Sequence, residues 1–375
     1  MYADSAIFSG AESVLCDVVE GLRACGDFEL VVASPAENHK LTGRLTAAAG
    51  VESALPVPAQ QPRLAAFDLY DPRRVRAVRR VLEEAAPDVI LLNLPSGEYG
   101  ATPLLARRGS APPIVGFMHV SGTMGDLGFR LGRLRERLAR RAVSRLDSVC
   151  LLSPEAEREY PRQWLPKGTE LNVVHLPRPE LVGVDRDIAR ERLGLPMDRP
   201  VIGMAGRLTI RQKGQDTLVE AAAGLVARRP ELLFAIAGEG QDRKVIERQI
   251  EAAGLEDSFR LLGQVEIADF LSAIDLVVIP SRFEGLPLIA LEALTLGVPG
   301  VASSVDGLCD VWPPEWRVGA GDSSQLSAAL ERLLDTESAA RQDLVSSGRK
   351  KMGQLTSKNP AGEVGGCLER AITHE

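Results

Sequence analysis

Apolar residues in this chain follow two alternating rhythms. Short unbroken runs rich in Val, Ile and Leu recur at Val89–Leu92, Ile114–Met118, Val149–Ser153, Leu171–His175, Val201–Ala205, Leu232–Ala237, Phe259–Gly263 and Asp275–Ile279. Runs of this length without polar alternation predict strands buried on both faces, as in a parallel sheet. Between them apolar residues return every three or four positions, as in Val14, Leu15, Val18, Val19 and Leu22, or Val75, Val78 and Leu82. That spacing predicts amphipathic helices. Strand and helix alternating through the whole chain define an α/β protein with parallel sheets. The pattern restarts at Val201 after the Pro177-Arg-Pro179 break, which predicts two domains over 1–178 and 179–356, with a further helix over 357–375. Phe28–Ala33 reads as the second strand, and the few residues before Gly10 leave room only for a short first one.

The most informative stretch is Pro280–Ala302. A strand ending at Ile279 runs into a loop, Ser281–Gly285, and then into a helix whose first position suits Pro287 and which Gly297 and Pro299 stop. Helix N-termini present free N–H groups and a positive potential, a ready seat for phosphate. Glu284 lies in the loop, and Glu292 lies in the helix, roughly 7–8 Å along its axis from Pro287. A pyrophosphate at the helix mouth would place one attached group over Glu284 and the other toward Glu292. Upstream, Gly206-Arg207 follows a strand, and Lys213-Gly214-Gln215-Asp216 leads into a helix. Two fixed cations and a helix N-terminus can hold a diphosphate without metal. The G-x-x-x-x-G-K-[ST] spacing is absent, and no Asp-x-Asp pair sits in a plausible metal loop.

The Glu-x7-Glu spacing with its Gly-Leu-Pro turn, together with Arg207 and Lys213, resembles the donor site of retaining family 4 glycosyltransferases. The resemblance runs from Arg186 to about Leu334. It implies the GT-B fold, in which two Rossmann-like α/β/α domains face each other across a cleft, with the acceptor held mainly by the first and the donor by the second. It also implies that the C-terminal helix crosses back to the first domain. On this basis Arg207 and Lys213 hold the diphosphate, and Glu284 accepts from sugar hydroxyls, with Gly285, Leu286 and Pro287 beside it. Backbone N–H groups of Leu288 and Ile289 reach the phosphates, Glu292 accepts from ribose, and Gly206, Gly263 and Val265 line the donor. The resemblance further places Gly10 at a glycine turn facing the phosphates, and His119, just past a strand end, against the transferred sugar. No cofactor and no metal is implied.

Composition changes this picture little. The net charge of −7 gives no reason to expect nucleic acid, and five scattered cysteines without a CxxC suggest free thiols in a reducing cytoplasm. No uncharged apolar run approaches the roughly 18–20 residues of a membrane span. Leu127–Arg141 is a basic helix whose Leu127, Leu131, Leu134 and Leu138 read as a core face. Its arginines, Arg133, Arg137 and Arg140, read either as a solvated flank or as a contact for anionic lipid, which would place the protein at the membrane periphery. The expected reaction moves a sugar from a UDP- or GDP-sugar to an unspecified acceptor hydroxyl, with retention. A nucleotide-sugar epimerase, a phosphorylase of the same fold and a non-catalytic sugar-nucleotide-binding scaffold stay open.

Overall fold

The computed structural model describes residues 1–6, 8, 10–60, 65–109, 111–119, 131–154, 165 and 168–373. The chain divides into two compact units, one comprising Met1–Pro177 with Thr356–Glu375, the other Arg178–Leu355.

In the first unit the strands are β1 (Ala33–Ser34), β2 (Leu55–Pro56), β3 (Ile90–Leu94), β4 (Ile114–Met118), β5 (Ser148–Leu151), β6 (Glu170–Val173) and β7 (Leu176–Pro177). The strands β3-β4-β5-β6 pair in that order, all parallel, and β1 pairs with β2. Tyr2 bridges in parallel to Ala33 on one side and Leu92 on the other, so the chain start acts as the missing middle strand. Only the last residue of the expected second strand, Ala33, lies in a strand, because the residues ahead of it make no ladder. The long apolar side chains of β3, β4 and β5 are buried on both faces, as unbroken apolar runs require.

The second unit carries β8 (Val201–Ala205), β9 (Leu233–Ala237), β10 (Phe259–Gly263), β11 (Leu276–Ile279), β12 (Gly300–Ser303) and β13 (Arg317–Val318). Their order is β10-β9-β8-β11-β12-β13, all parallel. The order reverses between β8 and β11, which is the point where doubly wound sheets open a crevice at the carboxyl ends of the strands. The last strand, β14 (Thr356–Ser357), pairs with β7 and returns the chain to the first unit, where the helix Pro360–Thr373 packs.

The basic helix departs from expectation. It spans Gly132–Val143, and its buried face is Arg135, Ala139, Ala142 and Val143. Leu131 is 64% exposed and Leu134 43% exposed, so the leucine stripe is not the core face. The cause is local: Leu131 caps the helix at φ 60, and Arg135 is drawn inward onto Glu98. Leu127 lies outside the described residues, as does the loop after His119.

Candidate functional site

The second unit's switch point is built by glycines. Gly206 follows β8 at φ 150, and a Cβ on Gly238, itself at φ 125, would lie 2.0 Å from the Gly206 carbonyl oxygen. Only glycine lets the ends of β8 and β9 approach so closely. The Gly238 N–H donates to the carbonyl of Gly263, at 2.6 Å. Gly263 sits at φ 71, after a bulge in β10, and Val265 beyond it is half-buried.

Lys213 ends the short helix Ile210–Lys213, and Gly214 then starts the helix Gln215–Arg228. A Cβ on Gly214 would lie 2.1 Å from the Pro280 carbonyl, so this turn is pressed against the exit of β11. That approach brings Lys213 Nζ within 2.5 Å of Glu284 Oε1, and the Ser281 hydroxyl donates to the same oxygen at 2.6 Å. The two side chains that the sequence assigns to different halves of a donor are thus a single ion pair, with Glu284 buried. Arg207, half-buried beside them, makes no side-chain hydrogen bond or ion pair among the described residues. Its carbonyl is held by the buried Gln215 side chain, at 2.9 Å.

Beyond Glu284, the Gly285 carbonyl accepts from the Gly307 N–H at 2.9 Å, and Leu286 and Pro287 are buried. Pro287 is the residue before the helix rather than its first position, since its ψ of 124 is extended. The helix Leu288–Leu296 therefore begins with the N–H groups of Leu288 and Ile289, which lack intrahelical partners. The Ile289 side chain is core, leaving only its backbone for a ligand. Glu292 is half-buried with no partner among the described residues, and burial pushes its carboxyl up to about 7.

Sequence reasoning missed Arg282. Its guanidinium grips Asp216 through two bonds of 2.8 Å and reaches the Ile210 carbonyl at 2.7 Å, while the backbone N–H of Arg282 donates to the Gln212 carbonyl. It locks the Lys213 turn to the Glu284 loop. No spacing announces this, because the partners are separated by some 66 to 72 positions along the chain.

In the first unit, Gly10 is exposed and opens the helix Gly10–Cys25 instead of forming a left-handed turn. His119 is buried just past β4, edge-on to Phe117, with Nε2 2.8 Å from Asn93 Oδ1. Burial lowers its pKa to about 3, so the ring is neutral. With Oδ1 facing Nε2, the proton sits on Nε2 and Nδ1 is left as an acceptor. Among the described residues no group of three His, Cys, Asp or Glu could hold a metal ion.

Comparison with known proteins fits this architecture. Sucrose-phosphate synthase from Thermosynechococcus elongatus superposes with a TM-score of 0.79 over 99% of this chain and 98% of that one, at 20% identity. HepE from Anabaena, solved with UDP and glucose, gives 0.73 over 98% of both chains, also at 20% identity. The fold is GT-B. Residues 9–177 match the family described as Glycosyl transferase 4-like domain, and residues 185–351 match Glycosyl transferases group 1. The alpha-D-kanosaminyltransferase of Streptomyces kanamyceticus is 31% identical over 261 residues, 64% of this chain and 66% of the relative, just under two thirds of its length. The chain belongs to the group 1 glycosyltransferases.

Proposed function

We propose that this protein transfers a sugar from a nucleotide-diphosphate sugar to an acceptor hydroxyl, with retention and without a metal ion. The observation that carries the reading is the cation set at the β8/β11 switch point. There the Arg207 guanidinium, unpartnered among the described residues, Lys213 and the N–H groups of Leu288 and Ile289 at the helix start belong to one connected set of loops. These groups hold the diphosphate and stabilise its charge as it leaves. Glu292 accepts from ribose hydroxyls, and Glu284 from hydroxyls of the sugar. Gly206, Gly263 and Val265 line the donor on the second unit, and the first unit, which carries Gly10 and His119, holds the acceptor. The neutral His119 presents Nδ1 as an acceptor for a sugar hydroxyl. The name of the kanosaminyltransferase relative and the UDP of HepE support a nucleotide-sugar donor.

A second part of the reading concerns location. No helix among the described residues is long and apolar enough to cross a membrane. The exposed Leu131 and Leu134 alternate with exposed Arg133 and Arg137 on one helix, a face suited to an anionic lipid surface.

The test is a thermal-shift panel of UDP- and GDP-sugars in the presence of chelator, since a bound ligand raises the melting temperature by mass action. A stabilising donor should then turn over in chelator with a candidate acceptor, and Arg207→Ala should abolish its stabilising effect. A strict need for Mg²⁺ or Mn²⁺ would remove the role given to the two cations.

A further inference from the structure

The β8/β11 switch point holds two arginines in opposite situations. Arg207 makes no side-chain hydrogen bond or ion pair among the described residues. Arg282 has both terminal nitrogens fully engaged. Nη1 donates to the Ile210 carbonyl at 2.7 Å and to Asp216 Oδ1 at 2.8 Å. Nη2 donates to Asp216 Oδ2 at 2.8 Å and to Thr217 Oγ1 at 3.2 Å. A guanidinium with both terminal nitrogens engaged keeps only its Nε–H for anything else. Its charge is also balanced by the Asp216 carboxylate. Arg282 is therefore poorly placed to be a phosphate ligand itself.

Its partners show what it holds. They lie on both sides of Lys213: Ile210 and Gln212 before it, the latter bonded at 2.8 Å by the Arg282 backbone N–H, and Asp216 and Thr217 after it. Between them, Lys213 and Gly214 form the joint of two helices, with Gly214 at φ 72. A helix as short as Ile210–Lys213 does not hold its shape unaided. The direction of Lys213 is thus set by whatever grips the segment at its two ends. Arg282 also stands just before Glu284 in the β11 exit loop, and its neighbour Ser281 bonds the Glu284 carboxylate that Lys213 meets. One residue therefore keeps the Lys213 turn and the Glu284 loop in a common frame.

We infer that Arg282 and Asp216 are a pair of positioning residues for nucleoside diphosphate binding, acting through Lys213. They keep the ammonium aimed at the switch point before the ligand arrives, so that binding does not have to order the turn. The pair consists of one cation and one anion, and what it contributes is order without net potential. The inference rests on the donor reading proposed above, because it takes a diphosphate as the ligand of Lys213.

The test is calorimetry of UDP and GDP with the full chain, well below the melting temperature of every variant, with saturation-transfer NMR for weak binding. Arg282→Gln combined with Asp216→Asn replaces the ion pair by two amides and leaves the net charge unchanged. This double variant should bind UDP about tenfold more weakly, the cost of ordering a flexible lysine on binding. Introduced into Lys213→Met, the same two substitutions should change affinity by less than about twofold, since nothing is left to position. Arg282→Lys, which keeps a charged bond to Asp216, should lie between wild type and the double variant, and it serves in its place if the double variant does not fold. Hydrogen exchange supplies a second reading: residues 210–217 should lose protection in the free double variant and regain it with UDP. Wild-type affinity in the double variant overturns the inference. An equal loss in the Lys213→Met background also overturns it, since Arg282 would then touch the phosphates itself. Either result leaves the donor reading standing. Failure of wild type to bind UDP or GDP removes the donor reading and this inference together.

Discussion

Replacing Glu284 by alanine should tighten the binding of a free nucleoside diphosphate, although Glu284 is assigned to the sugar. Lys213 Nζ lies 2.5 Å from Glu284 Oε1, with the two side chains 18% and 6% exposed. Removing one half of a pair so largely withdrawn from water typically costs about 3–5 kcal/mol, because the surviving charge is left without a partner. In the variant that charge is Lys213. A diphosphate arriving at the switch point supplies the missing counter-charge and recovers part of the cost, whereas in wild type it must compete with Glu284 for the same ammonium. Water reaches the lysine to some extent, so recovery of about 1.4 kcal/mol, a tenfold gain in affinity, is a conservative figure. The assay is calorimetry of UDP and GDP with both proteins, accompanied by melting curves. The unliganded variant should melt below wild type, and the ligand-induced rise should be larger. Turnover should fall, because the sugar loses its carboxylate. Nucleotide affinity that is unchanged or weaker in Glu284→Ala would refute the idea that the ion pair holds the cation in reserve.

Three further outcomes follow from the same structure. Glu292 has its carboxyl raised from 4.5 to about 7, so protonation favours the folded state. That stabilisation is complete below about 4.5 and lost as pH rises through about 7, and Glu292→Gln should lack it in melting curves taken from pH 4 to 8. Because ribose needs the ionised form, nucleotide affinity should rise through pH 7 in wild type more than in Glu292→Gln. Gly238→Ala places a Cβ 2.0 Å from the rigid Gly206 carbonyl at φ 125, and should cost more than the roughly 1–3 kcal/mol of ordinary backbone strain, visible in chemical denaturation. Finally, anionic vesicles should sediment the protein at low salt and release it at high salt, and replacing Arg133 and Arg137 by Glu should abolish this. Equal sedimentation by neutral vesicles would argue against an electrostatic contact.

Much of this architecture was legible in the sequence because the strands are buried on both faces and announce themselves as unbroken apolar runs. β4, β8, β9, β10 and β11 fall within a residue of their expected places. The beginning of the chain was less legible, since Tyr2 and Ala33 belong to the sheet by a few backbone bonds that no side-chain pattern encodes. The basic helix misled for a different reason. Leucine at helical spacing ordinarily marks the buried face, but here a buried arginine on Glu98 turned the helix and left two leucines outside. At the candidate site, Arg207, Lys213, Glu284 and Glu292 stood out through local spacing. The Lys213–Glu284 pair and the Arg282 clamp did not, because they join segments some 66 to 72 positions apart.

The return of the chain to its first unit bears on how the protein is made. The helix Gly10–Cys25 approaches the helix Pro360–Thr373 so closely that a Cβ on Gly21 would fall 2.4 Å from that of Ala361. Glu363 accepts from the His175 backbone, and Arg370 binds Glu170 beside β5. These partners leave the ribosome after every residue of the second unit. Domains usually finish in the order they are synthesised, but here the second unit has all its residues once Leu355 has emerged, while the first, begun earlier, still lacks one wall. For the whole of that interval the helix Gly10–Cys25 has only one helix, His39–Ala49, against it, and the side that meets Pro360–Thr373 is open. A nascent chain stalled before Pro360 should therefore display a protease-resistant second unit and an open first one, and trigger-factor-type chaperones should find their target at the beginning of the sequence.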